Sequence, residues 1–172
     1  ASLALKALEF RVAARVADQH PSARRSLDVA VVSSAANLLP LPGSLLVTVR
    51  SLSEDGSTYG RAIAASAVPG LVWLGITGLV GGVAIGIEGA IWLALIVVAA
   101  GIGAAVGAAT LFRSTAPERG RTSLVLAIIG VEAGWLAVSA CRLGLAVSAL
   151  GISIEPTQAV ALSVAGALTV AI

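Results

Sequence analysis

The 172 residues carry eleven basic and nine acidic side chains, yet only 12% of the chain is charged, 58% is apolar and the mean hydropathy is +0.99. A soluble fold cannot solvate that much apolar surface, so the composition excludes a soluble enzyme and points to an all-α polytopic membrane protein. The net charge of +2 gathers in short clusters, which is what membrane topology produces, and no nucleic-acid partner is expected.

In chain order, residues 2–16 are helical and apolar but hold Lys6, Glu9, Arg11 and Arg15. They read as the C-terminal part of a span whose start is missing. Residues 17–25 are a polar loop with His20 and Pro21. Residues 26–39 form an apolar stretch too short to cross a bilayer, and they run into Pro40-Leu41-Pro42-Gly43, which no helix continues through. Residues 44–49 are a short apolar return, so 26–49 read as a re-entrant hairpin whose tip, Asn37 to Gly43, lies inside the membrane. Non-helical backbone at that depth is tolerated only beside protein or a water-filled cavity, so the tip marks a cavity.

Residues 51–61 are a polar loop, and the segment 62–112 contains one charged residue, Glu88. That is about twice the roughly 20 apolar residues a crossing needs, so 62–86 and 89–112 read as two spans joined by a turn. Backbone groups in hydrocarbon must bond within the segment, and no alternating strand pattern occurs, so the spans are helices. Residues 113–121 are a basic loop, 122–150 a long span, 151–156 a short loop and 157–172 the start of another apolar helix. The chain opens without Met and stops in apolar sequence, and both ends read as cut. The expected organisation is one transmembrane domain over 1–172: a first half-repeat at 1–50, two spans at 62–112 and a second half-repeat at 122–172.

Loop charge sets orientation. With 26–49 re-entrant, Arg24, Arg25, Arg50, Arg61, Arg113, Arg119 and Arg121 fall on one side, while the opposite loops hold Glu88 and Glu155. Seven of eleven basic residues on one side place loops 17–25, 51–61 and 113–121 in the cytoplasm. Setting Arg11 on Arg142 also aligns the first half-repeat with the last segment in opposite orientation, the inverted arrangement that builds transporters around a midplane site.

Within span 122–150, Glu132 lies about ten residues, roughly 15 Å, from the start, and an ionisable group at that depth is a functional candidate. Trp135, Ser139 and Arg142 follow within about 80° on the same face. Arg142, about 12 Å from the other end, suits bidentate contact with a lipid phosphate, against the plainer reading of a snorkelling side chain. Arg11 and Arg15, at i and i+4, form a second anion-attracting face. The glycines at 78, 82 and 86, and at 103 and 107, read as helix-packing positions. Cys141 reads as a packing residue. His20 stands alone, no phosphate loop or nucleophile elbow occurs, and neither a metal, a cofactor nor an enzyme activity is expected.

The order of a helix with Arg11, a polar loop, SSAANLLPLPG at 33–43, Arg50, and SLSEDGSTYGRAIAASAVPG at 51–70 resembles the transmembrane flippase domain of the lysylphosphatidylglycerol synthase (multiple peptide resistance factor) family. The later run from Glu132, EAGWLAVSACRLGLAVSALGISIEPTQAVALSVAGAL, is similar to that domain's second half. The chain departs from the pattern at Pro42 and Gly43, where an Arg-Ala-Gly-like run is common, and it lacks the second glycine motif. The resemblance implies a bacterial inner-membrane protein that moves an anionic lipid-linked headgroup, on a phospholipid or a polyprenyl carrier. The expected function is therefore flippase-like transport, with Arg142, Glu132, Ser139, Trp135, Arg11, Asn37, Pro40 and Gly43 as the substrate-binding set and membrane lipids as partners. The rival is a non-transporting accessory subunit of a larger membrane complex, which would fill its interior with Ala and Leu.

Overall fold

A computed structural model of the chain describes residues 2–37, 43–87, 89–118, 120–152, 155, 158–159 and 162–164, and every element among them is an α-helix. In order these are α1 (Ser2–Val16), α2 (Ala23–Ala36), α3 (Gly43–Glu54), α4 (Tyr59–Ile87), α5 (Ile91–Thr115) and α6 (Arg121–Ala149). The helices α4, α5 and α6 are each long and apolar enough to cross a bilayer, which makes the chain an integral membrane protein.

The first helix is the hub, packing against α2, α4 and α6. Its second half is buried on nearly every side, with Phe10, Val12, Ala13, Ala14 and Val16 all in the core. Ser22 starts α2 by accepting a hydrogen bond from the Arg25 amide at 3.2 Å, which supplies one of the donors a helix N-terminus leaves open. Ser26, Val29, Ala30 and Ser33 then form one small-residue stripe at i, i+3, i+4 and i+7.

Helices α2 and α3 pack as an antiparallel pair. At one end Gly43 sits so close to Ala36 that an added Cβ would overlap the Ala36 backbone, and the Asn37 Oδ1 accepts the Ser44 N–H at 3.2 Å. At the other end the Arg25 guanidinium lies 3.6 Å from Glu54 and 3.4 Å from Asp55. The third helix extends to Glu54, past the boundary expected at Val49, because Leu52 is fully buried and Arg50 bonds Glu54 one turn on at 2.9 Å. The expected loop of 51–61 thus shrinks to the residues between Glu54 and Tyr59. The tip residues 38–42, Pro40 among them, lie outside the described residues.

Helices α4 and α5 form the tightest pair. A Cβ on Gly78 would stand 2.6 Å from the Gly101 Cα, and one on Gly101 would stand 3.0 Å from the Gly78 Cα. The two backbones therefore touch, the small-residue packing expected of membrane helices. On α5 the contact residue is Gly101 and not Gly103 or Gly107, which turn to other faces and meet little or nothing. Chain reversal between the pair uses Gly89 at φ +88, with the Ala90 amide bonded to the Ile85 carbonyl at 3.3 Å and the Gly89 amide to Gly86 at 3.1 Å. That is the glycine-closed helix end in which a left-handed residue is required.

All the basic loops meet at one end. Gln19 donates to the Leu52 carbonyl at 3.0 Å and the Ser57 hydroxyl at 2.9 Å. Arg61 donates to the Thr115 carbonyl at 3.0 Å, and Arg121 to the carbonyls of Arg113 at 3.1 Å and Ala116 at 3.3 Å. A single core cluster lies behind these ties, joining Val16, Leu52, Ala62, Phe112 and Leu124. At the opposite end Ile87, Ile91, Trp92 and Leu150 are exposed. Cys141 is exposed on α6 and does not pack inside. Glu88 and Arg119 lie outside the described residues, as does most of 157–172. Of that last segment Gln158, Ala159 and 162–164 are described and helical, with Ala159 and Val164 buried, Val164 against Gly81.

Candidate functional site

Four helices each turn one face toward a common space. Lys6, Glu9, Phe10 and Ala13 come from α1, and Ser66, Pro69, Gly70 and Trp73 from α4; both sets are spaced i, i+3, i+4, i+7. Ala30, Ser33 and Asn37 come from the end of α2, and Ser44, Leu45 and Thr48 from the start of α3. The space measures about 480 Å³, within the roughly 300–1,000 Å³ of small-ligand sites.

Half of this lining is polar, and most of these side chains are tied locally. Lys6 and Glu9 pair at 2.9 Å, with only 21% and 26% of their side chains exposed. Asn37 caps α3 through Ser44, and Thr48 returns its hydroxyl to the Ser44 carbonyl at 2.9 Å. Ser66 bonds the Ala62 carbonyl at 2.7 Å. Pro69 has no N–H, so the Ala65 carbonyl loses its helical donor beside the cavity. These features loosen the α4 ladder where it faces the space.

Depth follows from helical rise. Trp73 is twelve residues from Arg61, Asn37 twelve from Arg25 and Ser44 ten from Glu54, so these groups lie about 15–18 Å from the basic end. The hydrocarbon core is about 30 Å thick, so along the spanning helix α4 that rise is about half a crossing. Glu132, eleven residues from Arg121, lies at the same level, about 16 Å along α6.

The expected site residues divide into groups. Asn37 and Gly43 shape the hairpin end, Asn37 as a wall of the cavity and Gly43 through its contact with Ala36. Pro40 lies outside the described residues. Glu132 is 3% exposed and its Oε1 has no hydrogen-bond partner. It stands behind α1, where the charges acting on it are those of Glu9 and Lys6, and it does not line the cavity. Arg11 and Arg15 line a separate cleft of about 370 Å³ between α1 and α6, beside Gly130 and Val131. On α6, Trp135 is half-buried while Ser139 and Arg142 are exposed. Arg142 is twenty-one residues beyond Arg121, a rise of about 31 Å that sets it at the opposite surface. The α6 set therefore runs along one helix and is not brought together around the cavity.

Lys6, Glu9, Ser33, Ser66 and Trp73 were not singled out from sequence. The signal available was Pro69 inside an apolar span with Ser66 and Trp73 on its own face. Among the described residues no three His, Cys, Asp or Glu side chains gather as metal ligands. Comparison with known protein families, with curated proteins and with solved structures finds no match to the chain.

Proposed function

We propose that the chain is a flippase-like transport domain that holds an anionic, lipid-linked headgroup in the cavity between α1, the α2–α3 pair and α4. One observation carries the reading: a cavity of about 480 Å³ with Lys6, Ser33, Asn37, Ser44, Thr48 and Ser66 in its wall, at a helical rise of about 15–18 Å from the basic end. An anchoring subunit has no use for such a wall, since polar groups in hydrocarbon cost free energy unless they serve a pathway. Lys6 supplies the positive charge and Glu9 moderates it. The N-terminus of α3 adds its dipole on the same side.

In this reading α2 and α3 form a re-entrant hairpin entering from the basic face. Leu27, Val31, Val32, Leu45 and Leu46 are exposed on it, a surface suited to lipid and unsuited to water. The basic face is cytoplasmic, the membrane is a bacterial inner membrane, and 122–172 supplies the inverted partner of 1–50. Glu132 couples to the site through Lys6 and Glu9, and Arg142 meets phosphates at the far surface.

The test uses proteoliposomes carrying a fluorescent anionic phospholipid, with Lys6→Ala, Ser33→Leu and the parent chain compared. Ser33→Leu fills the cavity without touching charge, so translocation should fall at least tenfold in both variants. Parent-level rates in both would return the chain to the accessory-subunit reading.

A further inference from the structure

A second, larger space lies on the other side of α4. It measures about 570 Å³ and runs between α4, α5 and α6, with Val72, Ile76 and Ile129 among its walls and Arg113, Arg121 and Thr122 at its mouth. Its α4 wall is offset from the polar face of Ser66, Pro69 and Trp73, so the two spaces share no residue.

The mouth is built for an anion. Arg121 spends one terminal nitrogen on the carbonyls of Arg113 and Ala116, which fixes the guanidinium against the end of α5. Its Nε is buried and has no partner. The Arg113 side chain is exposed and takes no hydrogen bond or ion pair among the described residues, and the Thr122 hydroxyl beside it is exposed as well. The exposed Arg113 guanidinium and Thr122 hydroxyl offer accessible donors to a phosphate oxygen, with the Arg121 charge fixed behind them.

The rest of the groove is apolar. Its α5 wall runs from Arg113 to Ala105 and its α6 wall from Arg121 to Ile129, a rise of about 12 Å from the arginines on each helix, which fits within the roughly 15 Å of one leaflet. Two cations at the membrane surface above a one-leaflet apolar channel match a phospholipid: headgroup phosphate at the mouth, acyl chain below. We propose that this groove is a binding site for an anionic phospholipid of the leaflet on the basic side, seated between the three spanning helices and separate from the transported substrate.

The purified full chain, in a Cys141→Ser background and in detergent, is titrated with phosphatidylglycerol, phosphatidylcholine and inorganic phosphate, and bound lipid is counted by native mass spectrometry. Phosphatidylglycerol should bind more tightly than phosphatidylcholine, and phosphate alone should not displace it. Arg113→Gln, which removes no bond within the protein, should lower phosphatidylglycerol affinity about fivefold and leave phosphatidylcholine unchanged. Ala109→Phe, which fills the groove from the α5 wall, should weaken both lipids. Equal binding of the two lipids by the parent chain overturns the proposal, as does an unchanged preference in Arg113→Gln. A cysteine at Ala109 that cross-links to a second copy or to another protein in membranes also overturns it, because a protein then covers the groove. Since Arg113 and Ala109 are remote from the polar cavity, failure here leaves the transport reading untouched.

Discussion

Replacing Glu132 by Leu should make the protein more stable and less active at once. The carboxyl is 3% exposed and its Oε1 accepts no hydrogen bond. A buried polar atom left unmatched costs about 1–3 kcal/mol. Leu has a similar size, presents no unmatched atom and removes the interaction with Glu9 and Lys6, so unfolding free energy should rise by about 1–3 kcal/mol. Glu132→Gln keeps the shape and an oxygen, and its stability should stay within about 1 kcal/mol of the parent. The assay is equilibrium unfolding in mixed micelles, followed by helical circular dichroism, alongside headgroup translocation by the same preparations. Translocation should drop in both variants, because the polar group is retained at a cost only where it serves the pathway. A loss of stability in Glu132→Leu exceeding about 1 kcal/mol would refute the reasoning, since the carboxyl would then be making contacts that hold the fold.

Three further outcomes are expected. Gly43→Ala drives a Cβ into the Ala36 backbone and should cost about 1–3 kcal/mol, while Asn37→Ala loses the cap on Ser44 and should cost about 1 kcal/mol; thermal unfolding in detergent reads both. Gly78→Val should destabilise by about 3 kcal/mol or more as it forces α4 from α5, whereas Gly103→Val, with open space around it, should stay within about 0.5 kcal/mol in the same assay. Single cysteines at Arg24 and Thr58, both exposed, in the Cys141→Ser background, should react with a membrane-impermeant thiol reagent from the same face of oriented vesicles, and reaction from opposite faces would remove the re-entrant hairpin.

What could be read from sequence were the properties that live on one helix. Three spans follow from long apolar runs, and the end of the α2–α3 pair follows from Asn37 and Gly43, whose roles are set by local backbone chemistry. The length of α3 was underestimated because its last turn is held by burial of Leu52 against other helices, which no local pattern announces. Glu132 reads from sequence as an ionisable group deep in its span, and the structure buries it. Its separation from the cavity was not legible, because that depends on which side of α1 faces α6. The cavity itself needed four helices to be placed together. Lys6 and Glu9 look from sequence like charges near a helix end, and only packing turns them into the wall of an interior space. The glycine contact was mistaken by two residues on α5, since an apolar helix offers several small-residue stripes and the partner decides which one is used.

The arginine ties at the basic end also bear on how the bundle moves. Arg61 fastens α4 to the end of α5, and Arg121 fastens α6 to the same turn, so the three spanning helices share one anchored point. At the other end α4 and α5 stand against each other with Ile87, Ile91 and Trp92 exposed, and nothing comparable binds α6 to them among the described residues. A bundle pinned at one end pivots there, and a small tilt grows into its largest displacement at the free end. Under the proposed transport, the end that opens and shuts is the one away from the arginines, with those residues as its fulcrum. Spin labels at Ile87 and Leu150 should accordingly show a broad distance distribution, and labels at Tyr59 and Thr122, which leave both arginine ties in place, a narrow one.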